Sequence, residues 1–177
     1  MGDYRPKLEQ RIIWQAARIG VLLLVALFQT ALAPSVWRLR IDWVLIVVAI
    51  WTLMNGLGSG LRWGMIGGLA LDFLSPLPVG THLLALLLTV FMVALISDVM
   101  PRENRSVTVV TVLLASLLYG SLVAFVMNLA GWPVVWQRYP LTILLPAALA
   151  DAALSLPVAL VLERMQRAGQ PDIAFDV

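Results

Sequence analysis

The sequence predicts an all-α membrane protein with six transmembrane helices. Of its 177 residues, 61% are hydrophobic and 12% are charged, and the mean hydropathy is +0.93. A soluble domain is about half apolar and about a quarter charged, so this chain has too little polar surface to cover a core in water or to bind nucleic acid. The apolar runs are long and do not alternate with a period of two, which excludes a transmembrane barrel and leaves helices.

Turn residues and prolines divide the chain into six apolar runs, which we predict to be the membrane spans: 12–33, 43–57, 61–74, 81–99, 107–130 and 141–162. These spans form one transmembrane domain over residues 12–162. An N-terminal segment, 1–11, precedes it and a polar tail, 163–177, follows it. The first run is too long for the apolar region of a signal peptide and Pro34 directly follows it, so we expect an uncleaved anchor helix.

The basic residues predict which way the spans cross the membrane. Nine of them lie on the side of the two termini: Arg5, Lys7, Arg11, Arg18, Arg62, Arg102, Arg105, Arg164 and Arg167. Three lie on the opposite side: Arg38, Arg40 and Arg138. Cytoplasmic loops carry the excess of Lys and Arg, so both termini are predicted to be cytoplasmic. Aromatic rings, which settle at membrane interfaces, cluster at the outer boundary: Trp37, Trp43, Trp132, Trp136 and Tyr139.

The third run is too short to cross the membrane as a plain helix. Residues 61–74 span roughly 21 Å as a helix, whereas the hydrocarbon core is about 30 Å thick. Pro76 and Pro78 follow, and they disfavour helix in the residues before them. Irregular backbone at membrane depth is tolerated only where protein or a wet cavity surrounds it. We therefore predict that residues 61–80 lie inside the bundle or line a depression in it, and that they form the main functional region of the chain.

Small residues and one carboxylate share a face of this third helix. Gly64, Gly68 and Asp72 follow each other at steps of four, which favours close approach of another backbone with the carboxylate inside the contact. An acid at this depth needs a partner. Two partners are available after Gly80: the side chain of His82, and the exposed N–H groups at the start of the next helix.

The sixth run carries an acid, Asp151, near its middle. On the insertion scale its apolar residues contribute roughly −3 to −6 kcal/mol and one central Asp costs about +3 kcal/mol, so this helix needs neighbours. Two stripes of small and polar residues suit such contacts: Ala147, Asp151, Ser155 and Ala159 in the sixth run, and Ser116, Gly120, Ala124 and Asn128 in the fifth. Stripes of this kind favour interhelical hydrogen bonds. Packing within the molecule is the first expectation for both stripes, and contact with a partner helix is the alternative.

The chain contains few of the residue types that catalysis or a metal site requires. It contains no cysteine and one histidine, so a disulfide framework and a thiolate zinc site are excluded. It has no Ser-His-Asp set, no glycine-rich phosphate loop and no H-E-x-x-H motif. We therefore predict that the protein is not an enzyme and holds no cofactor.

Several short motifs together resemble a known family. The resemblance begins with Gln29-x-x-Leu32-x-Pro34 and continues with Arg40-x-Asp42. Its centre is Gly67-Gly68-x-x-x-Asp72-x-Leu74-Ser75-x-x-Pro78-x-Gly80-x-His82-x-Leu84. In these motifs, between residues 29 and 98, the chain resembles the MreD family of bacterial rod-shape proteins. The last two runs match that family mainly in hydropathy and size.

This resemblance implies a six-helix fold similar to the substrate-binding subunits of energy-coupling-factor vitamin transporters. It also implies a non-enzymatic scaffold of the elongasome in the bacterial cytoplasmic membrane. The implied partners are MreC, the peptidoglycan polymerase RodA with its transpeptidase partner, and the cytoskeletal filament MreB. We expect the small-residue faces and the irregular segment 61–80 to receive partner helices, while lipid covers the remaining surface.

Two other functions stay open at this point. A substrate-binding subunit of a vitamin transporter has a similar fold, and it requires a polar pocket near residues 75–82, with Trp132 and Trp136 stacking on a ring. A proton-coupled carrier requires Asp72 and Asp151 to act as a relay. Stabilisation by a vitamin would favour the first of these functions, and loss of uptake on Asp151→Asn would favour the second.

Overall fold

The computed structural model describes residues 8–31, 40–99 and 105–168, and these form helices and turns without any β-strand. The helices are α1 (Leu8–Ala31), α2 (Trp43–Asn55), α3 (Leu57–Leu74), α4 (Thr81–Val99), α5 (Arg105–Leu129) and α6 (Leu145–Ala168), with a π-helical turn (Pro140–Leu144) before α6. The predicted all-α fold class is confirmed. Our predictions for Pro34, Trp37, Arg38, Arg102, and the segments 1–7 and 169–177 fall outside the described residues.

Three of the described helical segments are long and apolar enough to cross a membrane: Thr81–Val99, Arg105–Leu129 and Pro140–Gln166. Two further apolar segments, Ile19–Ala31 and Trp43–Asn55, are shorter. The three long segments indicate an integral membrane protein. Six complete spans stay a prediction.

Two helix boundaries differ from the predicted ones. α3 begins at Leu57, before its predicted start at residue 61. Among the three glycines of this turn, only Gly56 adopts a left-handed φ, of 78°, and the chain reverses there. The predicted break at Gly60 is wrong, since this residue is helical and lies against Thr52, where no Cβ would fit. α6 opens with the π-helical turn and continues past its predicted end to Ala168.

Helix α2 lies at the centre of the bundle. Every residue of α2 from Val44 to Leu53 is buried except Val47. α2 contacts each of the other five helices, which follow one another around it in the order α1, α3, α4, α5, α6. Because lipid tails are as apolar as these side chains, close packing and hydrogen bonds between helices hold such a bundle together.

The glycine face of α3 packs against α4. A Cβ added to Gly68 would lie 2.6 Å from the Cα of Leu83 and 3.3 Å from the carbonyl oxygen of His82. At Gly64 the nearest atom is a methyl group of Val90, at 3.2 Å. Gly68 therefore meets the backbone of α4, which cannot move locally, whereas Gly64 meets only side chains.

Replacing Gly68 with alanine is expected to lower the stability of the folded protein by about 1–3 kcal/mol, because the added methyl group forces two backbones apart. Gly58 is the matched control, since it lies in the same helix and a Cβ there would meet nothing within 4 Å. Gly58→Ala is expected to leave stability unchanged or to raise it by at most about 1 kcal/mol through helix propensity. Thermal unfolding of both variants in one detergent measures the difference, and equal melting temperatures would contradict the close contact.

Candidate functional site

Polar side chains from five helices and one loop form two hydrogen-bonded groups, one at the start of α2 and one at the start of α4. We call the two groups together the polar layer, and its members are Gln29, Arg40, Asp42, Asp72, His82, Ser116, Tyr119 and Asp151. The three carboxylates, the imidazole and Tyr119 are all buried. Burying such groups is costly unless each is hydrogen-bonded, so the partners of each group decide what the layer does.

Asp72, in the last turn of α3, caps the start of α4. Its Oδ1 accepts a hydrogen bond from the backbone N–H of His82 at 2.8 Å, and its Oδ2 accepts from those of Gly80 at 2.9 Å and Leu83 at 3.1 Å. The first N–H groups of a helix have no partner within the helix, and the helix dipole favours an anion there. Of the two partners predicted for this acid, the structure shows the backbone amides and not the imidazole of His82.

The loop between α3 and α4 lies at the surface. Pro76 and Pro78 are exposed, so of the two predicted places for residues 61–80, the bundle interior does not hold for the last part of the segment. The physical reason is that proline has no backbone N–H group, so at these two positions the chain has no donor that needs a partner inside the protein. The remaining donors find local acceptors: the amide of Leu77 bonds to the hydroxyl of Ser75, and the hydroxyl of Thr81 bonds to the carbonyl of Pro78.

His82 links α4 to α5 through a residue that the sequence analysis missed. Its Nδ1 atom and the hydroxyl of Tyr119 are hydrogen-bonded at 2.7 Å. Tyr119 is fully buried in the middle of α5. A tyrosine that is buried usually finds a partner for its hydroxyl, so its position beside the stripe at Ser116 and Gly120 was the available signal.

Asp151 links α6 to α5 and to the start of α2. Its Oδ2 accepts a hydrogen bond from the hydroxyl of Ser116 at 2.6 Å, and its Oδ1 accepts one from the backbone N–H of Asp42 at 3.0 Å. The stripes predicted in the fifth and sixth runs are therefore joined by an interhelical hydrogen bond. Ser155 does not take part, because its hydroxyl donates to the carbonyl of Ala152 in its own helix.

Gly120 makes room for the π-helical turn. A Cβ at this position would lie 2.5 Å from a methyl group of Leu144. The hydroxyl of Tyr139 donates a hydrogen bond to the Gly120 carbonyl at 3.1 Å. The small residue thus lets the turn before α6 rest directly on α5.

The side chains of Gln29 and Arg40 contact residues at the start of α2. The amide group of Gln29 donates to Asp42 at 3.1 Å and accepts from the backbone N–H of Val44 at 3.0 Å. The Nε of Arg40 lies 3.4 Å from Asp42, and the Arg40 side chain is 42% exposed. The carboxylate of Asp42 raises the pKa of the Arg40 guanidinium above its ordinary value, so this side chain stays charged.

The polar layer holds helices in place. Within the described residues, every buried side-chain nitrogen or oxygen has a hydrogen-bond partner. The same part of the chain contains no group of three or more His, Asp or Glu side chains that could hold a metal ion. What the layer does chemically is to satisfy the N–H groups of two helices that start inside the bundle.

An apolar groove lies apart from this layer, at the end of α5. It has a volume of about 390 Å³ and is lined by Met127, Gly131, Trp132, Pro133 and Val134. Of the two rings considered for stacking, Trp132 lines the groove, whereas Trp136 packs edge-on against Tyr139 with ring centroids 6.3 Å apart. No residue of the segment 75–82 lines this groove.

Comparison with known proteins gives one match. A family model described as rod shape-determining protein MreD matches residues 10–165, a range that includes the whole polar layer. No curated protein and no solved structure matches the chain.

Replacing Asp72 with alanine is expected to lower stability by about 2 kcal/mol, because one buried and two part-buried backbone donors lose their acceptor. Asp98→Ala is the matched control, since Asp98 is exposed in the last turn of α4 and its replacement should leave stability within about 0.5 kcal/mol. Thermal unfolding of the purified variants measures both effects. A neutral result for Asp72→Ala would show that the cap does not hold α4.

Proposed function

Because the chain belongs to the MreD family of rod shape-determining proteins, we propose that it is a non-enzymatic membrane scaffold of the cell-elongation machinery. Membership implies a role in rod shape determination. The protein would lie in the bacterial cytoplasmic membrane with both termini in the cytoplasm. The observation that carries this proposal is the family match, which extends over most of the chain.

In this proposal the protein binds MreC directly. Together they help to position or activate the peptidoglycan synthase, which consists of RodA and its transpeptidase partner, in a complex that also contains MreB. The polar layer supports a scaffold over an enzyme, because its acids already accept hydrogen bonds from helix amides and from Ser116. These bonds give the acids a structural role within the bundle, as a scaffold requires.

The small-residue faces are occupied by the protein itself. Gly68 lies against α4, Gly120 lies against the π-helical turn, and Ser116 bonds to Asp151. Close contacts of this kind leave no room for a second helix at Gly68 and Gly120. We therefore propose that a partner uses outward-facing apolar surface instead of these two positions.

No observation on the described residues favours the two alternative functions. The groove beside Trp132 is apolar and lacks the polar pocket that a vitamin-binding subunit needs. Asp72 and Asp151 are hydrogen-bonded in different parts of the polar layer, each to its own helix start, so they do not form a relay pair.

Co-purification tests the scaffold proposal. Detergent-solubilised, tagged protein is expected to retain full-length MreC, because two membrane proteins that work as one unit must contact each other in the bilayer. The control is MreC whose transmembrane helix is replaced by a polyleucine helix of equal length, which keeps hydrophobicity and removes specific contacts. Equal recovery of both forms, or of neither, would contradict direct recognition in the membrane.

A further inference from the structure

An arginine lies on the outward side of α3. Exposed residues of this helix follow each other at steps of three and four, which places them on one stripe: Gly58, Arg62, Met65, Leu69 and Phe73. Outward surface of this kind meets lipid in a membrane protein. Charged side chains in membrane helices usually face the bundle interior or a water-filled cavity. Arg62 differs from that pattern, so its surroundings decide what it binds.

The packing of α3 on α4 gives the depth of Arg62. Gly68 lies against Leu83, and Gly64, one turn earlier in α3, lies against Val90, later in α4. The two helices are therefore antiparallel. Arg62 precedes Gly68 by six residues, so it is level with about residue 89 of α4, near the middle of that helix.

An exposed acid shows how far α4 continues beyond the level of Arg62. Asp98 follows Leu95 on the outward side of α4, and both are exposed. Residues 89 and 98 are roughly 13 Å apart along a helix axis. A carboxylate that faces outward needs water or headgroups around it. If Asp98 lies at that boundary, the backbone at Arg62 lies well inside the hydrocarbon.

The side chain of Arg62 extends back towards the start of α3. Its Nε donates a hydrogen bond to the carbonyl oxygen of Gly58 at 3.3 Å, one turn earlier. A long basic side chain in this conformation keeps its stem on apolar surface and brings its charge towards the interface. Within the ranges that the structure describes, this uncharged carbonyl is the one side-chain partner of Arg62. The protein therefore leaves the cation without a counter-charge.

The surface around the guanidinium is open and apolar. A Cβ added to Gly58 would meet nothing within 4 Å. Leu57 and Met65, which are 37% and 49% exposed, lie before and after the arginine along α3. The remaining N–H groups of the guanidinium have the fork geometry that matches phosphate oxygens. A phospholipid supplies such a phosphate together with acyl chains for the apolar surface, whereas inorganic phosphate supplies the charge alone.

We propose that Arg62 binds the phosphate of an anionic phospholipid in the leaflet at the start of α3 and holds this headgroup deeper than the level of Asp98. An anionic lipid compensates the cation, whereas a zwitterionic lipid brings a positive charge of its own. The bilayer is then thinner beside α3 than beside the end of α4. The inference goes beyond the scaffold function and holds whether or not MreC binds.

Native mass spectrometry of the detergent-solubilised full chain tests the lipid site. One phosphatidylglycerol is expected to bind in preference to phosphatidylcholine, and Arg62→Gln should weaken its binding about ten-fold. Arg62→Lys, which keeps the charge without the fork, should weaken it less. Arg164→Gln is the matched control, because it removes an exposed arginine from α6, and it should change binding by less than about two-fold. Equal binding to the Arg62→Gln and Arg164→Gln variants would overturn the inference, as would full displacement of the lipid by inorganic phosphate.

Photolabelling of the wild-type protein gives a second readout that does not depend on how a variant folds. The protein is placed in nanodiscs with a phosphatidylglycerol analogue that carries a diazirine in its headgroup. Labels are expected within residues 57–65 and should be displaced by unlabelled phosphatidylglycerol but not by phosphatidylcholine. Labels confined to other helices, or displaced equally by both lipids, would contradict the site, and neither result bears on whether MreC is recovered.

Discussion

The hydrogen bonds between Asp72 and the first turn of α4 are the interaction on which the rest of the structure depends. A helix that starts within a bundle leaves N–H groups that neither water nor lipid can satisfy. The carboxylate of Asp72 accepts from three of them, so α3 can end at Leu74 and the chain can turn back at once. The same contact brings α3 and α4 to the short separation that only a glycine at position 68 permits.

The start of α2 follows the same principle with different residues. Asp151 of α6 accepts from the amide of Asp42, and Gln29 of α1 accepts from that of Val44. Two helices that begin inside the molecule are thus held by acceptors from other helices, and a hydrogen bond between His82 and Tyr119 joins α4 to α5. The polar groups described here are therefore used to hold helices of this molecule in place.

The sequence predicted the fold class and the behaviour of the third helix because both follow from local properties. Composition and run length predict helices, Thr81 and Val99 bound α4 as observed, and the spacing of Gly68 and Asp72 predicts a buried acid at a close contact. It did not predict which helices are neighbours. The partners Asp42 and Asp151 are separated by 109 positions, and hydropathy carries no information about that pairing. The role of Tyr119 depends on helix arrangement for the same reason.

Amide hydrogen exchange at the start of α4 tests most directly whether Asp72 organises this bundle. In the purified protein in lipid nanodiscs, the amides of Gly80, His82 and Leu83 should exchange as slowly as those in the middle of α4, although they belong to its first turn or precede it. Slow exchange that is lost in the Asp72→Asn variant, with the middle of α4 still protected, is the result expected. Exchange of these three amides at the rate of an unstructured peptide in the wild-type protein would contradict the account.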